Sequence, residues 1–161
     1  MHTDVIIADY HNPQHQQFIA ELMNLYALDP MGGGEGLPDA ISRKLASELN
    51  KVPNAFTVLA MAAGNAVGLI NCMQGFSTFK CKPLINIHDV VVIDQCRGRG
   101  ISQQMMAKVE DVARQRGCCK LTLEVLEGNT PAQASYRNSG FAGYELDPQM
   151  GKALFWQKNL C

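Results

Sequence analysis

"DVVVIDQCRGRGIS", Asp89 to Ser102, decides how the rest of the chain is read. It passes from β-branched residues through Gly98 and Gly100, which alternate with Arg97 and Arg99, into residues at helical spacing. Upstream, "LINIHDVVVI" (Leu84 to Ile93) is apolar on both alternate faces apart from Asn86, His88 and Asp89, the pattern of a central strand covered on both sides. Downstream, Ile101, Met105, Val109 and Val112 trace one face of a helix that Gly117 can end as a left-handed cap. "KLTLEVL" (Lys120 to Leu126) then reads as a strand. A strand, a helix and a strand in this order predict a parallel pair with a right-handed crossover.

Such a junction suits an anion. The first amides of a helix lack intrahelical partners and lie at the positive end of its dipole. Gly98 and Gly100 would let a phosphate reach the main chain, and Arg97 and Arg99 add charge at the rim, so a diphosphate fits best. The plainer alternative is a tight turn with solvated arginines. A dinucleotide fingerprint is a weak reading, because Gln103 stands where its third glycine would be and no early strand–helix–strand unit precedes it.

Working outward, "DVIIADY" (Asp4 to Tyr10) reads as a strand and "PQHQQFIAELMNLYAL" (Pro13 to Leu28) as a helix. "DPMGGGEGLPD" (Asp29 to Asp39) reads as a flexible loop able to serve as a lid. No Gly-Lys-Ser/Thr follows its glycines, so it is not a phosphate loop. "AISRKLASELNKV" is a second helix with Ile41, Leu45 and Leu49 four apart, and "AFTVLAMAAGNAVGLINCMQGF" is an antiparallel hairpin about Gly64-Asn65. Near the end, Thr130 as N-cap, Pro131 in the first turn and Gln133 complete a capping box for a short helix closed by Gly140. "FAGYEL" and "KALFWQKNL" then read as two strands around an Asp-Pro…Gly turn. The expected fold is α+β: a mixed, mostly antiparallel central sheet flanked by helices with one parallel crossover, in a single domain over 1–161.

Composition excludes several classes. A chain of 161 residues, 47% hydrophobic and 18% charged, can bury a sizeable core. A net charge of −1 favours neither nucleic acid nor an anionic membrane. With no basic segment leading into an apolar run and no span long enough for a bilayer, a cytoplasmic location is expected. The six cysteines (72, 81, 96, 118, 119 and 161) form no C-x-x-C pair and the four histidines fall at no finger-like spacing, so no metal is expected and the thiols read as reduced. Cys118 and Cys119, adjacent at a helix end, read as packing residues before redox ones.

Gln95-x-x-Gly98-x-Gly100 resembles the pyrophosphate-binding motif Gln/Arg-x-x-Gly-x-Gly/Ala of the GNAT superfamily of N-acetyltransferases. The resemblance continues through the amphipathic helix, "LTLEVL", "EGNTPAQASYRNSGF" and the closing strands, covering about 55–160. It implies acetyl-coenzyme A as co-substrate. Main-chain groups of Val90, Val91 and Val92 would then pair with the pantetheine arm, and the amides of Arg97, Gly98, Arg99, Gly100, Ile101 and Ser102 would hold the pyrophosphate. Asn129 matches a coenzyme-contacting asparagine, and Tyr136 matches the general acid. Read without the family, Tyr136 would be a core residue of a short amphipathic helix.

Acetyl transfer to an amine asks for an N–H near Val91 to polarise the thioester carbonyl, a phenol such as Tyr136 to protonate the leaving thiolate, and a base for the ammonium. His88 is the leading base candidate, although some family members carry glutamate there. A buried, hydrogen-bonded histidine, Glu124 and a water chain remain alternatives. Regular alternation would point His88 and Asp89 to opposite faces, excluding a simple dyad. The acceptor is a primary amine of a small molecule or peptide, whose pocket falls in the less diagnostic part around Tyr26 and 31–36. The competing reading is a non-catalytic acyl-CoA sensor or interaction module. Oligomeric state is not set by these residues, which leaves a homodimer open.

Overall fold

The computed structural model describes residues 2–160, and the chain divides into two compact units, Met1–Leu123 and Glu124–Cys161. In the first, β1 (Asp4–Ile7), α1 (Pro13–Leu28), α2 (Asp39–Leu49), β2 (Phe56–Ala62), β3 (Asn65–Ser77), β4 (Lys82–Val92), α3 (Ile101–Gln115) and β5 (Leu121–Leu123) follow in order. The sheet runs β1-β2-β3-β4-β5, antiparallel up to β4 and parallel between β4 and β5. This is the expected mixed α+β sheet with one parallel pair, joined through α3.

Local chemistry sets the joints. Asn12 caps α1, its side chain accepting from the Gln14 and His15 N–H groups, and Pro13 occupies the first turn. The β2–β3 turn lies one residue earlier than expected. Ala62 pairs with Asn65, so Ala63 and Gly64 are its central residues, at φ 49° and 80°. Positive φ at both central residues is the turn that matches strand twist, and Asn65 instead steadies it by donating to the Ala63 carbonyl.

The sheet is covered on both faces because adjacent residues of β3 point opposite ways. Leu69 joins Phe18, Ile19 and Leu22 of α1, Leu49 of α2, Leu59 and Val91 in one core. Gly68 faces α3, where an added Cβ would stand 2.9 Å from Met105 Cε; its absence lets the helix come close. Met105, Met106 and Val109 are buried along that helix.

Two further expectations change in this unit. The loop after α1 is tied down: Asp29 accepts from the Met31 N–H, its carbonyl accepts from Gly32 and Gly34, and a Cβ at Gly32 would collide with the Tyr26 carbonyl oxygen. Its glycines serve close approach as well as turning. On α2 the buried positions are Ala46 and Leu49, while Ile41 is exposed.

In the second unit α4 spans Thr130–Asn138, and its cap is Asn129 rather than Thr130. Asn129 Oδ1 accepts from the Ala132 N–H, and Gln133 turns its amide to the Leu126 and Glu127 carbonyls instead of closing a capping box. The two terminal strands reduce to one bridge, Glu145 with Lys152, around a turn closed by the Met150 N–H to the Asp147 carbonyl. Leu146, Leu154, Phe155 and Trp156 are all exposed, and a two-stranded ribbon that buries no face is marginal.

Candidate active site

β4 is built from β-branched residues and is longer than its parallel neighbour. The β4–β5 ladder runs only from Ile85–Leu121 to Ile87–Leu123, whereas β4 continues to Val92. Among the described residues no strand pairs with 88–92 on this edge. The Ile93 N–H donates to the Val67 carbonyl at 3.0 Å, so alternation turns Ile93 and Val91 towards β3. Val90 and Val92 turn their main-chain groups to the open edge. An N–H aimed there thus belongs to Val90 or Val92, the neighbours of Val91, whose side chain is buried in the core.

The open edge leads into the glycine loop. Gly98 and Gly100 have φ 73° and 75°, left-handed values that favour glycine, and nothing lies within 4 Å of a Cβ added at Gly98. Gly100 is the N-cap of α3 and no side chain caps that helix. The amides of its first turn, including Ile101 and Ser102, therefore face outward without an intrahelical partner. Glycine backbone, open space above it and an uncapped helix start together fit the diphosphate of a coenzyme.

The two arginines differ. Arg97 Nη2 lies 3.2 Å from Asp29 Oδ2 and 3.0 Å from Asp94 Oδ1, and its Nε donates to the Val92 carbonyl at 3.1 Å. The side chain expected at the rim as mobile charge is committed to the start of the loop after α1. The Met31 N–H and the Arg97 guanidinium hold the Asp29 carboxyl below its ordinary value. Arg99 is exposed.

His88 is exposed at a β-bulge. Asn71 pairs with Asp89 and Cys72 with Ile87, leaving His88 as the extra residue of β4. The bulge breaks the alternation on which the two-face argument for His88 and Asp89 rested. Glu124 is exposed, and the second unit holds it together with Asn129 and Tyr136. Tyr136 is half-buried and meets Phe141 edge to face, ring centroids 6.0 Å apart.

A buried polar row escaped sequence reading. Thr57 of β2, Asn71 of β3 and Asp89 of β4 are cross-strand neighbours. Thr57 Oγ1 donates to Asn71 Oδ1 at 2.6 Å, Asn71 Nδ2 donates to Asp89 Oδ2 at 2.9 Å, and the Tyr10 hydroxyl lies 2.8 Å from Thr57 Oγ1. Asn71 Nδ2 also lies 3.3 Å from Met23 Sδ on α1. Burial, and then the Asp89 and Asp29 charges, push the Tyr26 phenol up. The available signal was a polar residue set among apolar neighbours in each strand: Thr57 in FTVLAMA, Asn71 in GLINCM and Asp89 before three valines.

With this geometry in place, the comparisons are specific. The acetyltransferase (GNAT) family model matches residues 19–141, more than half of the chain, and the chain belongs to that family. Streptothricin acetyltransferase of Streptomyces lavendulae is 38% identical over 85 residues, covering 51% of this chain and 45% of that protein. Thialysine N-epsilon-acetyltransferase of Bos taurus is 37% identical over 65 residues, covering 40% of this chain and 38% of that protein. The chain thus spans less than half the length of these two relatives. Among solved structures, aminoglycoside N-acetyltransferase AAC(6')-Iy in complex with CoA shares the fold, with a TM-score of 0.77 at 21% identity over 99% of this chain and 96% of that one.

Proposed function

We propose that this chain transfers the acetyl group of acetyl-coenzyme A directly to a primary amine of a small molecule or peptide. The observation that carries the reading is the open β4 edge running straight into a left-handed glycine loop and an uncapped helix. An extended arm joined to a diphosphate, as the pantetheine of the coenzyme is, would complete both. The family model spans both compact units, which supports a single acetyltransferase domain over 1–161. No helix among the described residues is long and apolar enough to cross a membrane. The near-neutral charge and the lack of any C-x-x-C spacing among the cysteines support a cytoplasmic enzyme with no nucleic-acid or membrane partner, as monomer or homodimer.

In the reaction the ammonium gives up a proton, the amine nitrogen bonds to the acetyl carbon, and the carbon–sulfur bond breaks to give an amide and a protonated thiol. The Val90 or Val92 N–H polarises the carbonyl oxygen. Tyr136 supplies the thiol proton and Asn129 contacts the coenzyme. His88, Glu124 or a water chain takes the ammonium proton. No group of this mechanism is a metal.

The test is release of free thiol from acetyl-coenzyme A with a panel of primary amines: benzylamine, cadaverine and an alanyl dipeptide. Amine-dependent release, matched by acetylamine product, is expected. Stabilisation by acetyl-coenzyme A with no amine-dependent release would instead mark a non-catalytic acyl-CoA sensor.

A further inference from the structure

We infer that Asp89 holds the ammonium group of the acceptor, and that Tyr10, Thr57 and Asn71 position it through a one-way row of donors across the sheet. The inference rests on the amine-acetylation reading above and adds the acceptor-binding group that reading lacks.

The direction of the row follows from its chemistry. Thr57 has one hydroxyl proton and spends it on Asn71 Oδ1, so the Tyr10 hydroxyl is the donor of the 2.8 Å contact with Thr57 Oγ1. With Oδ1 engaged, the Asn71 amide has only N–H to offer Asp89, and a carboxylate, which only accepts, is the matching partner. Each donor is oriented by the one before it, and the last is aimed at Asp89.

The setting is one where disorder is costly. Thr57 and Asn71 are 0% and 2% exposed, and among the described residues no buried side-chain nitrogen or oxygen lacks a hydrogen bond. Asp89 is therefore fixed on one side by a satisfied, buried row. Its other side is unfinished: Asp89 is half-buried, and among the described residues no lysine, arginine or histidine pairs with it and Oδ1 accepts no hydrogen bond. A carboxylate fixed through one oxygen and lacking a cation is a receptor for one. Its position selects the cation, since Asp89 adjoins Val90, where the open edge begins, and its charge reaches the phenol of Tyr26 on α1.

The alternative is that the row merely fills the sheet interior. Position argues against this, because the row stops at β4, beside the bulge at His88. A simple packing solution would have placed apolar residues at Thr57 and Asn71, as at nearly every other buried position of these strands.

The experiment takes the best amine from the panel above and compares wild type with Asp89→Asn, Thr57→Val and Thr57→Ser in the full chain. Asp89→Asn should raise the KM for the amine about tenfold or more, as expected for one partner of a partly buried charge pair, and leave the KM for acetyl-coenzyme A unchanged. It should also erase the preference for a cationic inhibitor that cannot form an amide, N,N-dimethylbenzylamine, over neutral benzyl alcohol. Thr57→Val, isosteric, fully buried and linked to Asp89 only through Asn71, should raise the amine KM about threefold, and Thr57→Ser should restore it. Asp89→Asn with an unchanged amine KM and unchanged charge preference would overturn the assignment while leaving amine acetylation standing. A Thr57→Val that lowers the melting temperature without moving the amine KM would overturn the positioning role. A wild type that turns over no amine would overturn both readings together.

Discussion

Replacing Gly98 with alanine separates the two purposes a glycine can serve at that place. Its φ of 73° is left-handed, and nothing lies within 4 Å of where a Cβ would stand. In the free protein the substitution costs backbone strain alone, about 1–2 kcal/mol. For a chain of this length that lowers the melting temperature by about 2–8 °C. The space above Gly98 is open in the free protein and would be filled by phosphate oxygens in the coenzyme complex, so the larger effect falls on binding. At a coenzyme concentration 100-fold above Kd, the wild type should gain about 2.7 kcal/mol, or about 5–11 °C. Gly98→Ala should lose most of that rise. Thermal unfolding of both proteins, with and without acetyl-coenzyme A at one salt concentration, reads both effects. A variant that melts slightly lower yet shows the full ligand-induced rise would place the diphosphate elsewhere. A loss well beyond 8 °C without ligand would make the glycine structural.

Tyr136→Phe keeps the ring that meets Phe141 and removes the phenolic oxygen; turnover should fall about 100- to 10,000-fold with the KM for acetyl-coenzyme A little changed, as steady-state kinetics will read. His88→Ala should slow turnover most at neutral pH and recover towards pH about 10, where a lysine-like amine sheds its own proton; a pH–rate profile parallel to wild type would return the proton to Glu124 or water. Asp29 has a carboxyl held below its ordinary 3.8, so its ionised form adds stability above that pH and loses it as pH falls further. The stability gap between wild type and Asp29→Asn should be constant above pH about 5 and close in more acid solution, and denaturant unfolding across pH that shows no closing would refute the tie to Met31 and Arg97.

What the sequence made legible is what short-range chemistry decides. α1 spans Pro13–Leu28 as read, because Asn12 and Pro13 mark its start locally. The left-handed cap at Gly117 was equally legible, since it ends a helix whose apolar spacing is plain; at Gly98 and Gly100 the sequence pointed to a close main-chain approach, and the structure adds their left-handed φ. Where two neighbours could do the same job, the choice slipped by one residue, as with Asn129 for Thr130 and Ala63-Gly64 for Gly64-Asn65. The bulge at His88 was not legible at all, because register depends on a partner strand. The polar row was hidden for the same reason, its members lying 14 and 18 residues apart. The family resemblance named the residues for chemistry and was silent on the row, which belongs to the sheet beneath them.

The unpaired run at the end of β4 also bears on handling the protein. The Val90 N–H and carbonyl and the Val92 N–H face an edge that no strand covers among the described residues, a template to which a strand from another molecule can add, while Val91 turns to β3 and the Val92 carbonyl accepts from Arg97. Evolution commonly blunts such an edge with lysine or proline, and Val90–Val92 carries neither. A ligand bound along that edge would act as its cover, so aggregation on storage should be slower with coenzyme present than with an equal concentration of free phosphate. Preparations stripped of coenzyme would be the ones to cloud first.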